Sequence, residues 1–340
     1  MNGFLDLADL GRDAVVDLLA LAARLKEKPE PDALAGRTLG LVFFNPSLRT
    51  LASMQAAMAQ LGGHSFVITP GSGSWDLETG DGVIMNGKAA EHIREGIPVL
   101  ASYCDALGVR AFAEGRDLAA DLAEPTFTKI AALCDKPLVN LESAVNHPCQ
   151  ALADWKTLDD LGVPRRGKFV LSWANHPRAL PLAVPAAAVH MAALRGMEVV
   201  VLRPEGYALP EPIMKKARDA AAATGGSLVE TDDREAALAG AHVVYAKEWG
   251  STAHYGDAAA EARLRASLDG WTLRETWFAK ARPDCRLMHC LPVRRNVAVA
   301  DELLDGPRSA VLPQAHNRLV VQRAVLHRLL ASRGRAAIAA

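Results

Sequence analysis

Short apolar segments, each breaking into a turn and then a helix-like stretch, recur along the whole of this 340-residue chain, and that alternation restricts its fold most. Residues 38–44, 64–68, 107–110, 137–140, 168–173, 197–202, 227–230, 241–246 and 286–292 read as strands. Residues 48–61, 91–107, 151–161, 185–195 and 211–224 read as helices. Near-continuous apolar runs of strand length fit strands buried on both faces, and their alternation with helices argues for parallel sheets covered by helices. The pattern occurs on both sides of a break near residues 145–165, where Pro164-Arg165-Arg166-Gly167 precedes a new alternation. The expectation is an α/β protein of two domains, each a parallel-sheet α/β sandwich. Their bounds read as 1–145, completed by a C-terminal helix at about 312–335, and 151–305. The length exceeds what one core usually serves, and an apolar share of 50% suffices for two.

Charge removes several function classes. Lys and Arg number 38 against 39 Asp and Glu, so nothing draws the chain generally toward nucleic acid or an anionic membrane, and a charged ligand must be recognised locally. Cys104, Cys134, Cys149, Cys285 and Cys290 are an odd, scattered set without CxxC spacing, which argues for reduced thiols in a cytoplasm and against a zinc site. Residues 1–28 carry Asp6, Asp9, Asp13 and Asp17 among Leu, Val and Ala at helical spacing, an amphipathic helix and not a signal peptide. No apolar run is long enough to span a bilayer. There is no GxGxxG for a dinucleotide and no GxxxxGK[ST] for a nucleoside triphosphate.

The chemistry gathers just past the strand ends. Phe43-Phe44-Asn45-Pro46-Ser47-Leu48-Arg49-Thr50 is an apolar run that stops at a turn and opens into a helix. Such a junction aims unpaired backbone N–H groups and the positive end of the helix dipole at one spot, with Arg49 and the hydroxyls of Ser47 and Thr50 beside it. The same residues also fit an ordinary βα turn with a surface arginine. Further polar groups follow other strands: Arg110, Glu142, His147, Gln150, Cys290-Leu291 and Arg318. In open α/β sheets these strand ends line the ligand crevice. Three arginines and a helix N-terminus suit a phosphate, and a neutral His with a Gln suits a planar, amide-like group, so an anhydride smaller than a nucleotide is indicated. Trp75, in the Gly/Ser loop after residue 68, either reaches a ligand or a neighbouring subunit or anchors the loop on its own domain.

Phe-Phe-Asn-Pro-Ser-Leu-Arg-Thr (43–50), His-Pro-Cys-Gln (147–150), His-Cys-Leu-Pro-Val-Arg-Arg-Asn (289–296) and Asn-Arg-Leu-Val-Val-Gln (317–322) resemble the transcarbamylases, in order and over the whole chain. Trp75, Trp173-Ala-Asn-His-Pro-Arg178 and Tyr245-Ala-Lys-Glu-Trp249 are similar to the branch acting on N-acylated ornithine. The resemblance implies the transcarbamylase fold, with the first domain binding carbamoyl phosphate and the second an N-acylornithine, and a homotrimer with shared active sites. It implies that Ser47, Leu48, Arg49, Thr50, Arg110 and Arg318 hold the phosphate, with Trp75 entering from the adjacent subunit. His147 with Arg49 and Thr50 polarises the carbamoyl oxygen, and Gln150 with the Cys290-Leu291 backbone holds the NH2. Ala90, Glu142, Trp173, His176, Arg178, Lys247 and Cys290-Leu291 match positions that contact the acylated amino acid. No metal, cofactor or covalent nucleophile is called for.

Ala90 bears on the acyl group. By the resemblance, acetyl-type enzymes carry a glutamate there and succinyl-type enzymes a proline; a small neutral residue leaves room for a succinyl carboxylate and removes a like charge. Ala298 stands where the acetyl type has a lysine. The expected substrate is N-succinyl-L-ornithine, with N-acetyl-L-ornithine as the alternative, and an ordinary ornithine enzyme or a catalytically weak binding paralogue further off. One residue departs from the family pattern: Leu51, where a second arginine is usual.

Overall fold

A computed structural model describes residues 1–331 as two compact units, each with its own five-stranded, wholly parallel sheet. The first unit contains Met1–Ala113, Ala123–Cys149 and the described residues from Arg318; the second contains Glu114–Leu122 and Gln150–Asn317. Two points depart from the sequence-based bounds. Glu114–Leu122 belongs with the second unit, and so do residues 306–317, which the sequence reading had left out or given to the first. The C-terminal helix runs Val311–Leu330, so residues 332–335 of the expected helix lie outside the described residues.

In the first unit the strands lie in the order Gly3–Phe4, Leu138–Glu142, Ala106–Arg110, Thr38–Phe43, His64–Ile68. The central three are buried almost throughout, as near-continuous apolar runs require. Gly40 is fitted to this crowding: a Cβ there would sit 2.8 Å from Leu107 Cδ1 and 2.9 Å from Phe66 Cζ. The pairing of Ala106–Arg110 with Leu138–Glu142 slips by one residue after Val109, which sets Arg110 opposite Glu142 and not Leu141. A bulge of this kind re-aims a side chain, here at the end of the strand where polar groups collect.

The second sheet has the order Ser227–Thr231, Glu198–Leu202, Lys168–Trp173, Val243–Lys247, Arg286–Met288. Val170, Val200, Leu202, Val244, Leu287, Trp277 and Phe278 share one core on it. The Ala-rich helix Ala183–Arg195 is buried along its whole length. It ends at Gly196, whose φ of 91° a glycine adopts without strain.

Several expected elements shift. The N-terminal helix is Gly11–Glu27, because Gly3–Phe4 pairs as an edge strand with Leu138 and Val139. The helix expected over 91–107 is Ile93–Ser102, since Glu91–His92 forms a small parallel ladder with Leu77–Glu78 and Leu107 is already in a strand. The strand expected over 286–292 stops at Met288. Among the described residues no helix is long and apolar enough to cross a membrane.

Candidate active site

In the first unit the helix Leu48–Gln60 starts at the expected turn. Ser47 is its N-cap, with Oγ accepting from Thr50 N at 3.2 Å, which satisfies one of the helix's orphan donors. Asn45 ties the turn down by accepting from Phe112 N at 2.8 Å. Thr50 is buried and its Oγ1 accepts from Arg318 Nη2 at 2.7 Å. Arg110, at the end of its strand, donates to Glu142 and lies over the Phe112 ring at 4.3 Å. Leu51 is half-buried on the same first helical turn.

His147 is 3% exposed beside this cluster, and its Nε2 lies 3.4 Å from Glu142 Oε2. At that distance an imidazolium would pair with the carboxylate. Burial, followed by the charges of Arg318, Arg110 and Arg49, nevertheless holds its pKa well below the ordinary histidine value, so the ring is neutral at pH 7. His147 Nδ1 is buried and finds no hydrogen-bond partner among the described residues. Such a buried polar atom calls for an explanation, and a ligand is one. Cys149 next to it is no nucleophile: burial pushes its thiol up to about 11.

Trp75 and Ala90 also belong to the first unit. Trp75 is 61% exposed and donates from Nε1 to Glu91 Oε2 at 2.9 Å, so the loop is fastened one residue from Ala90. Ala90 itself is exposed. The residues before it are pinned at their base, where Asp81 pairs with Arg94 at 2.8 Å and Lys129 at 2.9 Å.

In the second unit Lys247 ends a central strand and pairs with Glu248 at 3.0 Å. Glu248, 1% exposed, also faces His289 Nε2 at 3.2 Å. Because His289 Nδ1 accepts from Leu291 N at 2.9 Å, the ring's proton sits on Nε2 and is donated to Glu248. Burial alone would raise the Glu248 carboxyl, but Lys247 and His289 outweigh it and hold the group below the usual carboxylate range. Leu291 has a φ of 57°, a strained conformation for a branched residue and one that concentrates at functional turns.

Gln150 donates from Nε2 to Asp154 Oδ1 at 2.7 Å, and Gln314 Nε2 reaches the same oxygen at 2.7 Å. His176 is buried, its pKa lowered by burial, and its Nδ1 lies against the Arg178 backbone; the Arg178 side chain is exposed. Trp173 is packed away: it is 1% exposed, its ring lies 4.6 Å from that of Tyr207, and its Nε1 donates to Trp249 O at 3.0 Å. Its indole therefore props this strand end and has no donor left for a ligand.

Ser47, Thr50, Arg110, His147 and Arg318 are thus gathered in the first unit, and Glu142 with them, whereas sequence reasoning had grouped Glu142 with the amino-acid residues. Gln150, Lys247 and Leu291 are joined in the second through Asp154, Gln314, His289 and Glu248. None of those four was assigned a role from sequence. The adjacency of Glu248 to Lys247 was the one local signal.

These features define a two-domain α/β protein with parallel sheets, in whose first unit guanidinium groups and a capped helix N-terminus collect at strand ends, a set of donors that suits an anion. Residues 2–160 match the carbamoyl-P binding domain of aspartate/ornithine carbamoyltransferase, and residues 184–329 its Asp/Orn binding domain. The chain belongs to the aspartate/ornithine carbamoyltransferase family and is a carbamoyltransferase. It is 38% identical over 334 residues to an N-acetylornithine carbamoyltransferase of Xanthomonas campestris pv. campestris, spanning 97% of this chain and 98% of that one. It is 38% identical over 294 residues to an N-succinylornithine carbamoyltransferase of Bacteroides fragilis, spanning 86% and 87%. A solved N-acetyl-L-ornithine transcarbamylase, a glutamate-to-alanine mutant complexed with carbamyl phosphate and N-succinyl-L-norvaline, superposes with a TM-score of 0.93 at 38% identity, covering 97% of this chain and all of that one.

Proposed function

We propose that the protein moves the carbamoyl group of carbamoyl phosphate to the δ-amine of N-succinyl-L-ornithine, giving N-succinyl-L-citrulline and phosphate, a step of arginine biosynthesis carried out by a cytoplasmic homotrimer. The observation that carries the carbamoyl-transfer reading is the buried neutral His147 set among Arg49, Arg110 and Arg318. Phosphate is held by the N-terminal turn of Leu48–Gln60 with Ser47, Arg49 and Thr50, and by Arg110 and Arg318, with Trp75 supplied by a neighbouring subunit. Helix N–H groups and guanidiniums are the donors a phosphate dianion takes.

The carbamoyl oxygen accepts from His147, Arg49 and Thr50, and the carbamoyl NH2 is held by Gln150 and the Cys290-Leu291 backbone. The neutral δ-amine attacks the carbonyl carbon, forming the C–N bond as charge builds on oxygen. Fixed donors stabilise that oxyanion without reorganising. The C–O bond to phosphate then breaks, and phosphate departs with the amine's proton. Lys247 and Arg178 are cations suited to the substrate's carboxylates, with His176 beside them. Glu142 serves by aligning Arg110 and His147.

Ala90 supports the succinyl group as acyl partner, since no glutamate stands there to repel a second carboxylate. The solved relative in which a glutamate is replaced by alanine, complexed with N-succinyl-L-norvaline, is in keeping with this. N-acetyl-L-ornithine is the second reading, favoured by the near-complete span of the match to the Xanthomonas enzyme. The test is phosphate release from carbamoyl phosphate, which is expected only when an acylornithine is present. Binding of carbamoyl phosphate without turnover of any ornithine derivative would defeat the proposal.

A further inference from the structure

We infer that Glu248 and His289 act as one positioning pair: Glu248 fixes the imidazole tautomer, and the imidazole holds Leu291 in the backbone conformation that presents the Cys290-Leu291 peptide to the carbamoyl group. This rests on the carbamoyl-transfer reading. Leu291 has a φ of 57°, a left-handed value that is costly for a branched L residue and persists only where neighbours enforce it. The same angle sets how the Cys290-Leu291 peptide plane is turned. Relaxation of Leu291 to the extended region would swing that plane, and its carbonyl, out of place.

The enforcing contact is local. Leu291 N donates to His289 Nδ1 at 2.9 Å, two residues back along the chain. An asparagine makes this bond in an Asx-turn; here a ring nitrogen makes it. It exists only while Nδ1 carries no proton, since the other tautomer sets N–H against N–H. The choice between tautomers is made on the far side of the ring. His289 Nε2 lies 3.2 and 3.3 Å from the two Glu248 oxygens, and both side chains are buried. A carboxylate only accepts, so it keeps the ring's proton on Nε2. Burial would raise the Glu248 carboxyl, but Lys247, 3.0 Å from Oε2, and His289 keep it ionised. Gln314 adds a second tie, its Oε1 accepting from His289 N at 2.8 Å, so the ring and the backbone of His289 are both fixed. Glu248 and His289 are positioning residues, and Leu291 is the residue they position.

The experiment measures kcat with both substrates saturating, and inhibition by inorganic phosphate, in the wild type, His289→Leu, His289→Asn, Glu248→Gln and the double variant of Glu248→Gln with His289→Asn. His289→Leu removes the acceptor for Leu291 N and should lower kcat by about 100-fold, the scale of a small misplacement of a reacting group. His289→Asn keeps an acceptor for the same N–H and should recover most of that loss. In Glu248→Gln the amide oxygen turns to Lys247 and the NH2 to the ring, which selects the wrong tautomer and should lower kcat by about tenfold. In the double variant there is no tautomer to fix, so Glu248→Gln should lower kcat no further. Phosphate inhibition should stay constant throughout. A kcat in His289→Asn as low as in His289→Leu overturns the inference, and so does equal weakening of phosphate, which a merely structural role produces. Where His289→Leu does not fold, the other three variants decide: additive losses from Glu248→Gln and His289→Asn overturn it. A wild type that transfers no carbamoyl group to any acylornithine counts instead against the functional reading.

Discussion

Arg318 Nη2 donates to Thr50 Oγ1 at 2.7 Å, joining the C-terminal helix to the first turn of Leu48–Gln60. Both side chains are buried, and burial lowers the Arg318 pKa from its ordinary value. On the proposed reading the same guanidinium also holds the phosphate. Arg318→Ala should raise the KM for carbamoyl phosphate by roughly 30-fold or more, the equivalent of ~2 kcal/mol for truncating a buried charged partner. Arg318→Lys should recover little, because a point charge does not replace the planar fork. Steady-state kinetics with the acylornithine saturating would read this directly.

Arg49 is half-buried, so its loss should cost little in folding. Arg49→Ala is expected to lower kcat by about 10²–10³, as removal of one oxyanion donor does elsewhere. The oligomeric state, followed by sedimentation, should be unchanged. Wild-type rates in this variant would refute the role given to Arg49.

Activity and stability should diverge as pH falls. His147 has a folded pKa well below 6.5, and burial also lowers those of His176 and His242. In the unfolded chain these rings protonate near the ordinary value of about 6.5, so below that pH the unfolded state binds more protons and stability declines. Glu248, depressed in the folded state, acts in the same direction at lower pH: its contribution is present above the unfolded carboxylate pKa and is lost as pH falls toward the folded one. Urea midpoints should therefore drop from pH 7 to 5. kcat should persist through pH 6.5, because His147 stays neutral there. A kcat that titrates away with a pKa at or above 6.5 from His147 protonation, absent in a His147→Gln background, would contradict this.

Ala90→Glu should reverse the acyl preference. A new carboxylate one residue from Glu91 repels the second charge of a succinyl group and leaves an acetyl group untouched, so kcat/KM for N-succinyl-L-ornithine should fall at least tenfold relative to the acetyl compound. Product formation from equimolar mixtures of the two would measure it.

Leu51→Arg places a cation on the first turn of the helix Leu48–Gln60. A partly exposed charge there is worth up to ~1 kcal/mol, so carbamoyl phosphate should bind no more than about fivefold tighter. A gain of several orders of magnitude would identify Leu51 as the mark of a weakened paralogue.

Where sequence and structure agree, the signal is local. Lys168–Trp173 and Glu211–Thr224 have the bounds that their periodicity predicts, because each is closed by turn residues within the segment. Gly3–Phe4 is too short to show any period and exists only through its pairing with residues 138–139. The capped turn at residues 43–50 was legible because cap, turn and helix are contiguous. Asp154 and Gln314, 160 residues apart, carry no such mark; their meaning is a single shared oxygen. Trp173 carries no distinguishing mark either, since a tryptophan at a strand end fits a ligand contact as readily as the core position it holds.

The most direct test of the account is the rate of citrulline-type product formed from carbamoyl phosphate with N-succinyl-L-ornithine, N-acetyl-L-ornithine and ornithine as separate acceptors. The account predicts transfer to both acylated compounds, a higher kcat/KM for the succinyl one, and little or none for ornithine itself. A clear preference for N-acetyl-L-ornithine would contradict the role of Ala90, and transfer to ornithine alone would contradict the acyl specificity altogether.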